Sequence, residues 1–237
     1  MSTFVLVHGS WHGAWCWYRL IPLLEAAGHR VIAPDLSGFG RDKTPIAEIG
    51  PDTWARDIGR ILDAAPEPVL LVGHSRGGMV ISQAAEARPD KVRALIYLCA
   101  FLLRDGQSVL DVLLADLTSD VTCNVEINEA GGYATLPETA VQQAFYGDCG
   151  DADVALARLL LQPEPMAPVI VPIHVTSKNF GQAPRVYIEC LRDRAITPEA
   201  QKRMYSATPC DTIITMDTSH SPFFSAPEAL ARHLISI

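Results

Sequence analysis

Val72-Gly73-His74-Ser75-Arg76-Gly77-Gly78 sets a serine between glycines, with an apolar run before it and a helix-like run behind it. A serine on such a strand-to-helix turn has a strained backbone and an exposed hydroxyl, and the flanking glycines relieve the crowding that side chains would cause. Serine is a weak nucleophile at neutral pH; it needs an imidazole to take its proton and a carboxylate to orient that imidazole. Of the seven histidines, His220 lies in the loop Met216-Asp217-Thr218-Ser219-His220-Ser221-Pro222, after the last strand-like run and before the last helix-like one. His8 and His12 precede the serine, His29 lies before a strand-like run, His74 is inside the turn, and His174 and His233 fall in a middle insertion and the terminal helix. For the acid, Asp193 in Cys190-Leu191-Arg192-Asp193-Arg194 follows a strand-like run at the edge where open α/β sheets assemble their sites. Asp217 is nearer to His220 along the chain, but side chains three apart in a tight loop seldom align for an Asp-His hydrogen bond. The structural alternatives are a helix cap for Ser75, a surface turn paired with Arg192 or Arg194 for Asp193, and a backbone-bonded loop histidine for His220.

The pattern points to acyl transfer, which needs N-H groups aimed at a developing oxyanion. Phe4-Val5-Leu6-Val7-His8-Gly9-Ser10-Trp11-His12-Gly13 ends a strand in a His-Gly turn, so Ser10 is expected to offer one N-H and Arg76, at the helix start, the other. The Ser10 hydroxyl is either a third donor or a turn cap. Trp11 is either a pocket wall or packing, and His12 is read as structural. Arg76 places a cation at a helix N-terminus, where the macrodipole disfavours it, so something acidic or aromatic should hold its side chain.

These residues need a scaffold. Apolar runs at Phe4 to Val7, Arg30 to Ala33, Val69 to Val72, Ala94 to Leu98, Arg185 to Cys190 and Thr212 to Met216 read as buried strands, most without polar alternation. Helical spacing recurs over Trp15 to Ala27, Thr53 to Ala65, Arg76 to Ala87, Pro198 to Ala207 and Pro227 to Ile237. The βαβα alternation implies an α/β fold with a mainly parallel six-stranded sheet, its core formed by residues 1–101 and 185–237. Residues 102–184 break the rhythm, with helix-like pieces at Val109 to Leu117, Pro137 to Phe145 and Ala152 to Leu161, and are expected to form a mostly helical cap.

Composition narrows the function. The 237 residues are 49% hydrophobic and carry a net charge of -8 with no Lys/Arg-rich run, which argues against a nucleic-acid partner. No apolar stretch approaches the ~20 residues that span a bilayer, and the N-terminus has no signal-peptide pattern. Six scattered cysteines form no C-x-x-C pair or Cys/His cluster, so no metal is expected and a reducing, cytoplasmic setting is.

Leu6-Val7-His8-Gly9-Ser10-Trp11-His12-Gly13-Ala14-Trp15, Leu23-Leu24-Glu25-Ala26-Ala27-Gly28-His29, the Gly-His-Ser turn and Val186-Tyr187-Ile188-Glu189-Cys190 together resemble the plant methylesterase and hydroxynitrile lyase family of α/β-hydrolases. The resemblance covers nearly the whole chain and is weakest from Arg104 to Leu136. It implies an α/β-hydrolase fold, a cofactor-free Ser75-Asp193-His220 triad, a small-molecule ester substrate and the option of a homodimer. Lyases of the family carry Thr or Asn where Gly9 stands, and the S-selective ones carry Lys where Ser221 stands. Gly9 is the methylesterase choice, so the resemblance implies an esterase, with cyanohydrin cleavage or a non-turnover ligand receptor as alternatives. Ser221 differs from the usual methylesterase residue too. Phe101, Leu113, Leu114, Leu117 and Phe145, with Gly9, Trp11 and Ser221, are the candidate pocket residues.

Overall fold

The computed structural model describes all 237 residues. Strand and helix alternate at first: β1 (Thr3–Val7), α1 (Leu20–Ala26), β2 (Arg30–Ile32), α2 (Thr53–Ala64), β3 (Val69–His74), α3 (Gly77–Ala87) and β4 (Val92–Leu98). A long insertion then carries α4 (Val109–Leu114), α5 (Asp120–Asn124), β5 (Glu126–Asn128), β6 (Tyr133–Thr135), α6 (Glu138–Phe145), α7 (Asp151–Leu160), β7 (Glu164–Pro165) and α8 (Ala167–Ile170). The chain ends with β8 (Arg185–Cys190), α9 (Pro198–Ala207), β9 (Thr212–Met216), α10 (Pro222–Ser225) and α11 (Pro227–Ile235).

Six strands form one sheet in the order β2-β1-β3-β4-β8-β9, every neighbouring pair parallel. The period-two projection of strand side chains divides the core in two. Phe4, Leu6, Leu70 and Val72 face Leu20, Leu24, Leu230 and Leu234 of α1 and α11, while Val5, Val7 and Leu71 face Trp54, Ile58 and Met79 of α2 and α3. Because β1 leads to β2 on one side and β3 lies on its other side, the strand order reverses between β1 and β3. The loops leaving their carboxyl ends, those of Ser10 and Ser75, open into one crevice.

One departure from the sequence reading here has a physical cause. The expected helix over Trp15 to Ala27 is a 3-10 turn at Ala14–Trp17 followed by α1 from Leu20. Pro22 tolerates only the first helical turn, so an α-helix containing it cannot begin much earlier. The insertion is mostly helical, as expected, and adds a small antiparallel sheet of β5, β6 and β7, whose strands of two or three residues are too short to show alternation. No helix is long and apolar enough to cross a membrane.

Candidate active site

The turn after β3 is built by exclusion. A Cβ on Gly73 would lie 2.6 Å from the Gly77 carbonyl oxygen, and one on Gly77 would lie 2.6 Å from that of Val7. Helix α3 can therefore start tight against the sheet only with glycine at both places. Ser75, between them, is driven to φ 53, a left-handed conformation that costs about 1–2 kcal/mol for a residue with a Cβ. Backbone bonds hold it there: Ser75 N-H donates to the Leu98 carbonyl at 3.2 Å, and Phe101 N-H donates to the Ser75 carbonyl at 3.0 Å.

Asp193 and His220 arrive from the loops beyond β8 and β9 and meet at 2.7 Å, Asp193 Oδ2 to His220 Nδ1, both side chains buried. The carboxylate must accept, so Nδ1 carries the proton and the other ring nitrogen, Nε2, presents its lone pair. Asp193 is fixed on all sides: Oδ1 accepts from the N-H groups of Ala195 at 2.7 Å and Ile196 at 2.9 Å, and Oδ2 also accepts from Gln201 Nε2 at 3.1 Å. Arg192 and Arg194 pair elsewhere, with Asp148 and Asp217 and with Asp120 respectively, and Asp217 stays on the surface. Gln201 drew no notice in the sequence, because a polar residue within a helix gives no sign that it faces inward.

The His220 carbonyl accepts from His74 Nε2 at 2.9 Å, and the two imidazoles lie 4.6 Å apart. Burial holds the His74 pKa well below the usual histidine value, so the ring that supports His220 is neutral.

Gly9 packs against the turn that carries Ser75. A Cβ there would stand 2.8 Å from Ser75 Cβ and 2.9 Å from His74 Nδ1. Gly9→Ala is expected to cost about 1–3 kcal/mol through overpacking, read as a lower urea midpoint; an unchanged midpoint would mean that the loop has slack. Gly9 thus sets loop spacing and does not line the cavity. Neither Ser10 N-H nor Arg76 N-H donates to a protein acceptor, whereas Trp11 N-H donates to Glu164 Oε2 at 3.0 Å.

The Arg76 side chain is held by both kinds of partner expected for it. Its guanidinium lies 3.9 Å from the Trp54 ring centroid, and Nε lies 2.8 Å from Glu164 Oε1 in an ion pair too bent for a hydrogen bond. Burial lowers the Arg76 pKa and raises that of Glu164, against the mutual attraction that favours the charged forms. His12, read as structural, donates from Nδ1 to the Ser10 carbonyl at 2.6 Å and faces the Tyr146 hydroxyl through Nε2 at 2.6 Å. Burial, the largest influence, lowers its pKa to about 3.

A cavity of about 60 Å³ opens beside Ser75. Trp11, Phe101, Leu113 and Phe145 line it, and its only polar walls are Ser10, Ser75 and Glu164. Leu117 does not: it is 74% exposed, as is Leu114 at 62%. Helix α4 stops at Leu114, and the following turn is drawn toward α9 because Asp116 accepts from Thr197 N-H at 2.9 Å and its hydroxyl at 2.8 Å, which leaves Leu117 outside. Ser221 is buried at the start of α10, away from the cavity wall.

A family model described as the alpha/beta hydrolase family matches residues 4–233. The chain belongs to the alpha/beta hydrolase family. Within it, this alpha/beta hydrolase is 33% identical over 249 residues to methylesterase 1 of Arabidopsis thaliana, covering 99% of the chain and 95% of that relative. It is 36% identical over 248 residues to an Arabidopsis thaliana protein designated methylesterase 11, chloroplastic; all of the chain takes part, but it spans only 64% of that relative's length. The crystal structure of polyneuridine aldehyde esterase superposes with a TM-score of 0.91 at 27% identity, covering 100% of this chain and 98% of that one.

Proposed function

We propose that this alpha/beta hydrolase is a serine carboxylesterase acting on small to medium, neutral carboxylic esters, with Ser75, His220 and Asp193 as its triad. The observation that carries the reading is the buried 2.7 Å Asp193-His220 bond, whose imidazole packs 4.6 Å from that of His74, the neighbour of Ser75, together with the free N-H groups of Ser10 and Arg76. His220 Nε2 takes the hydroxyl proton as Ser75 Oγ attacks the ester carbonyl. The oxyanion accepts from the two free amides, and the protonated imidazole passes its proton to the leaving alcohol. Water then repeats the sequence on the acyl-enzyme and releases the acid. Protein groups and water complete these steps.

Residues 102–184 act as a cap over this site in the same reading, and a cytoplasmic setting goes with six unpaired thiols. The names of methylesterase 1 and polyneuridine aldehyde esterase support an ester substrate. The apolar lining favours uncharged acyl groups, since no Lys or Arg lines the cavity and Glu164, its one carboxylate, is paired with Arg76. At about 60 Å³ the cavity accepts a short chain more readily than a long one.

Fluorophosphonate labelling and p-nitrophenyl ester turnover test the proposal. The wild type is expected to be labelled and Ser75→Ala not, with acetate and butyrate esters turned over faster than octanoate. Label retained after Ser75→Ala would remove Ser75 from the chemistry, and an unlabelled wild type would favour a non-turnover receptor. Benzaldehyde release from mandelonitrile should stay at background, because no free cation waits for cyanide.

A further inference from the structure

The loop that supplies the Ser10 amide has no regular structure, yet it is fastened at every step. Gly9's carbonyl accepts from Arg76 Nη2 at 3.0 Å, Ser10's carbonyl accepts from His12 at 2.6 Å, and Trp11's N-H donates to Glu164 at 3.0 Å. Glu164 comes from the insertion, as the first residue of β7, where it pairs with Ala134; the insertion also reaches Trp11 through the Gln162 N-H, which donates to the Trp11 carbonyl at 2.9 Å, and the Ala134 carbonyl, which accepts from Trp11 Nε1 at 3.0 Å. Glu164 acts on both sides of Ser10. One carboxylate oxygen takes the following residue's N-H directly, and the other pairs with the guanidinium that holds the preceding carbonyl. Arg76 is also the residue that carries the second free amide.

Such a pair is poorly explained by stability. Removing two charges from water costs about as much as their attraction returns, and apolar replacements of similar volume are often neutral or better. Arg76 is fully buried and Glu164 is 2% exposed, so the desolvation is close to complete. Misdirecting an oxyanion donor, by contrast, is felt in the transition state far more than in the bound ester.

We propose that Glu164 is a positioning residue that reaches from the cap to fix the two oxyanion amides, through the Trp11 N-H and the Arg76 side chain. The proposal rests on the esterase reading of Ser75. It makes assembly of the oxyanion site depend on docking of β7, so an undocked cap leaves the triad intact and the oxyanion poorly held.

The test replaces both partners, Arg76→Met with Glu164→Leu, removing the tether and the buried charges together while the Arg76-position amide remains. The expected result is a Tm within a few degrees of wild type, kcat for p-nitrophenyl butyrate lowered about tenfold or more, KM changed less than about twofold, and correspondingly slower fluorophosphonate labelling. A tenfold loss corresponds to about 1.4 kcal/mol of transition-state stabilisation. If kcat recovers along with Tm, the pair is structural and the proposal falls. Should the double variant not fold, Glu164→Gln is measured below its unfolding temperature: lower kcat at constant KM supports the proposal, and higher KM at constant kcat overturns it. A wild type that is inert and unlabelled overturns the esterase reading itself, an outcome distinct from an active wild type matched by its variants.

Discussion

Asp193→Asn is expected to lower kcat by about 10⁴-fold while leaving Tm within a few degrees and KM nearly unchanged. The size of the effect follows from which way the amide must face. The N-H groups of Ala195 and Ile196 both point at Oδ1, at 2.7 and 2.9 Å, and require an acceptor there. The asparagine oxygen therefore takes that position and its NH₂ takes the place of Oδ2, 2.7 Å from His220 Nδ1. A donor facing Nδ1 forces the proton onto Nε2, and an imidazole protonated there cannot accept the Ser75 proton. The NH₂ also meets the donating Gln201 Nε2, 3.1 Å from Oδ2, a local mismatch that the rest of the fold tolerates. Steady-state kinetics alongside thermal unfolding decide the matter. A variant with unaltered Tm and a rate within tenfold of wild type would mean that Asp193 does not set the tautomer.

Lowering the pH from about 7.5 to about 5 is expected to remove about 2 kcal/mol of folding stability through His12 alone, with His8 and His74 adding to the loss in the same direction. His8, His12 and His74 are buried, and burial depresses the pKa of each well below the usual value, to about 3 for His12. The unfolded chain binds a proton at each of these sites near pH 6.5, and the folded chain refuses it. Stability from these groups is therefore complete above about pH 6.5 and falls by about 1.4 kcal/mol per pH unit for each imidazole as the pH drops toward the folded values. Glu164 opposes this, because its raised pKa favours the folded state on acidification, but it is one carboxyl against three imidazoles. Asp42 and Asp111, whose pKa values are lowered by hydrogen bonds from neighbouring backbone N-H groups, act below this window. Urea unfolding at the two pH values measures the loss, and His12→Gln should reduce it by about 2 kcal/mol. Equal midpoints at pH 7.5 and 5 would show that the unfolded chain keeps these rings from protonating or that the folded chain accepts them.

The local pattern carried much of this protein. Arg185–Cys190, Thr212–Met216 and Pro198–Ala207 have the ends their sequences suggest, because each is bounded by residues whose backbone preferences leave little choice, such as the proline that opens α9. The same holds for the turn at Ser75, where glycine spacing dictates geometry over a few residues. The region from Arg104 to Leu136, where the family resemblance is weakest, also holds α5, β5 and the misjudged end of α4.

What the amino-acid order determined by itself was the succession of strands and helices, the glycine-flanked turn at Ser75, and the need of Arg76 for an acidic or aromatic partner. Which partner it takes was a tertiary decision. Glu164 lies 153 residues from Trp11, Tyr146 lies 134 from His12, and Gln201 is one inward-facing polar side chain on an otherwise unremarked helix face. No period or local propensity encodes such pairings. They are chosen when packing removes water from all the groups at once, so that each buried donor or charge must find a partner among whichever side chains the fold has brought within reach.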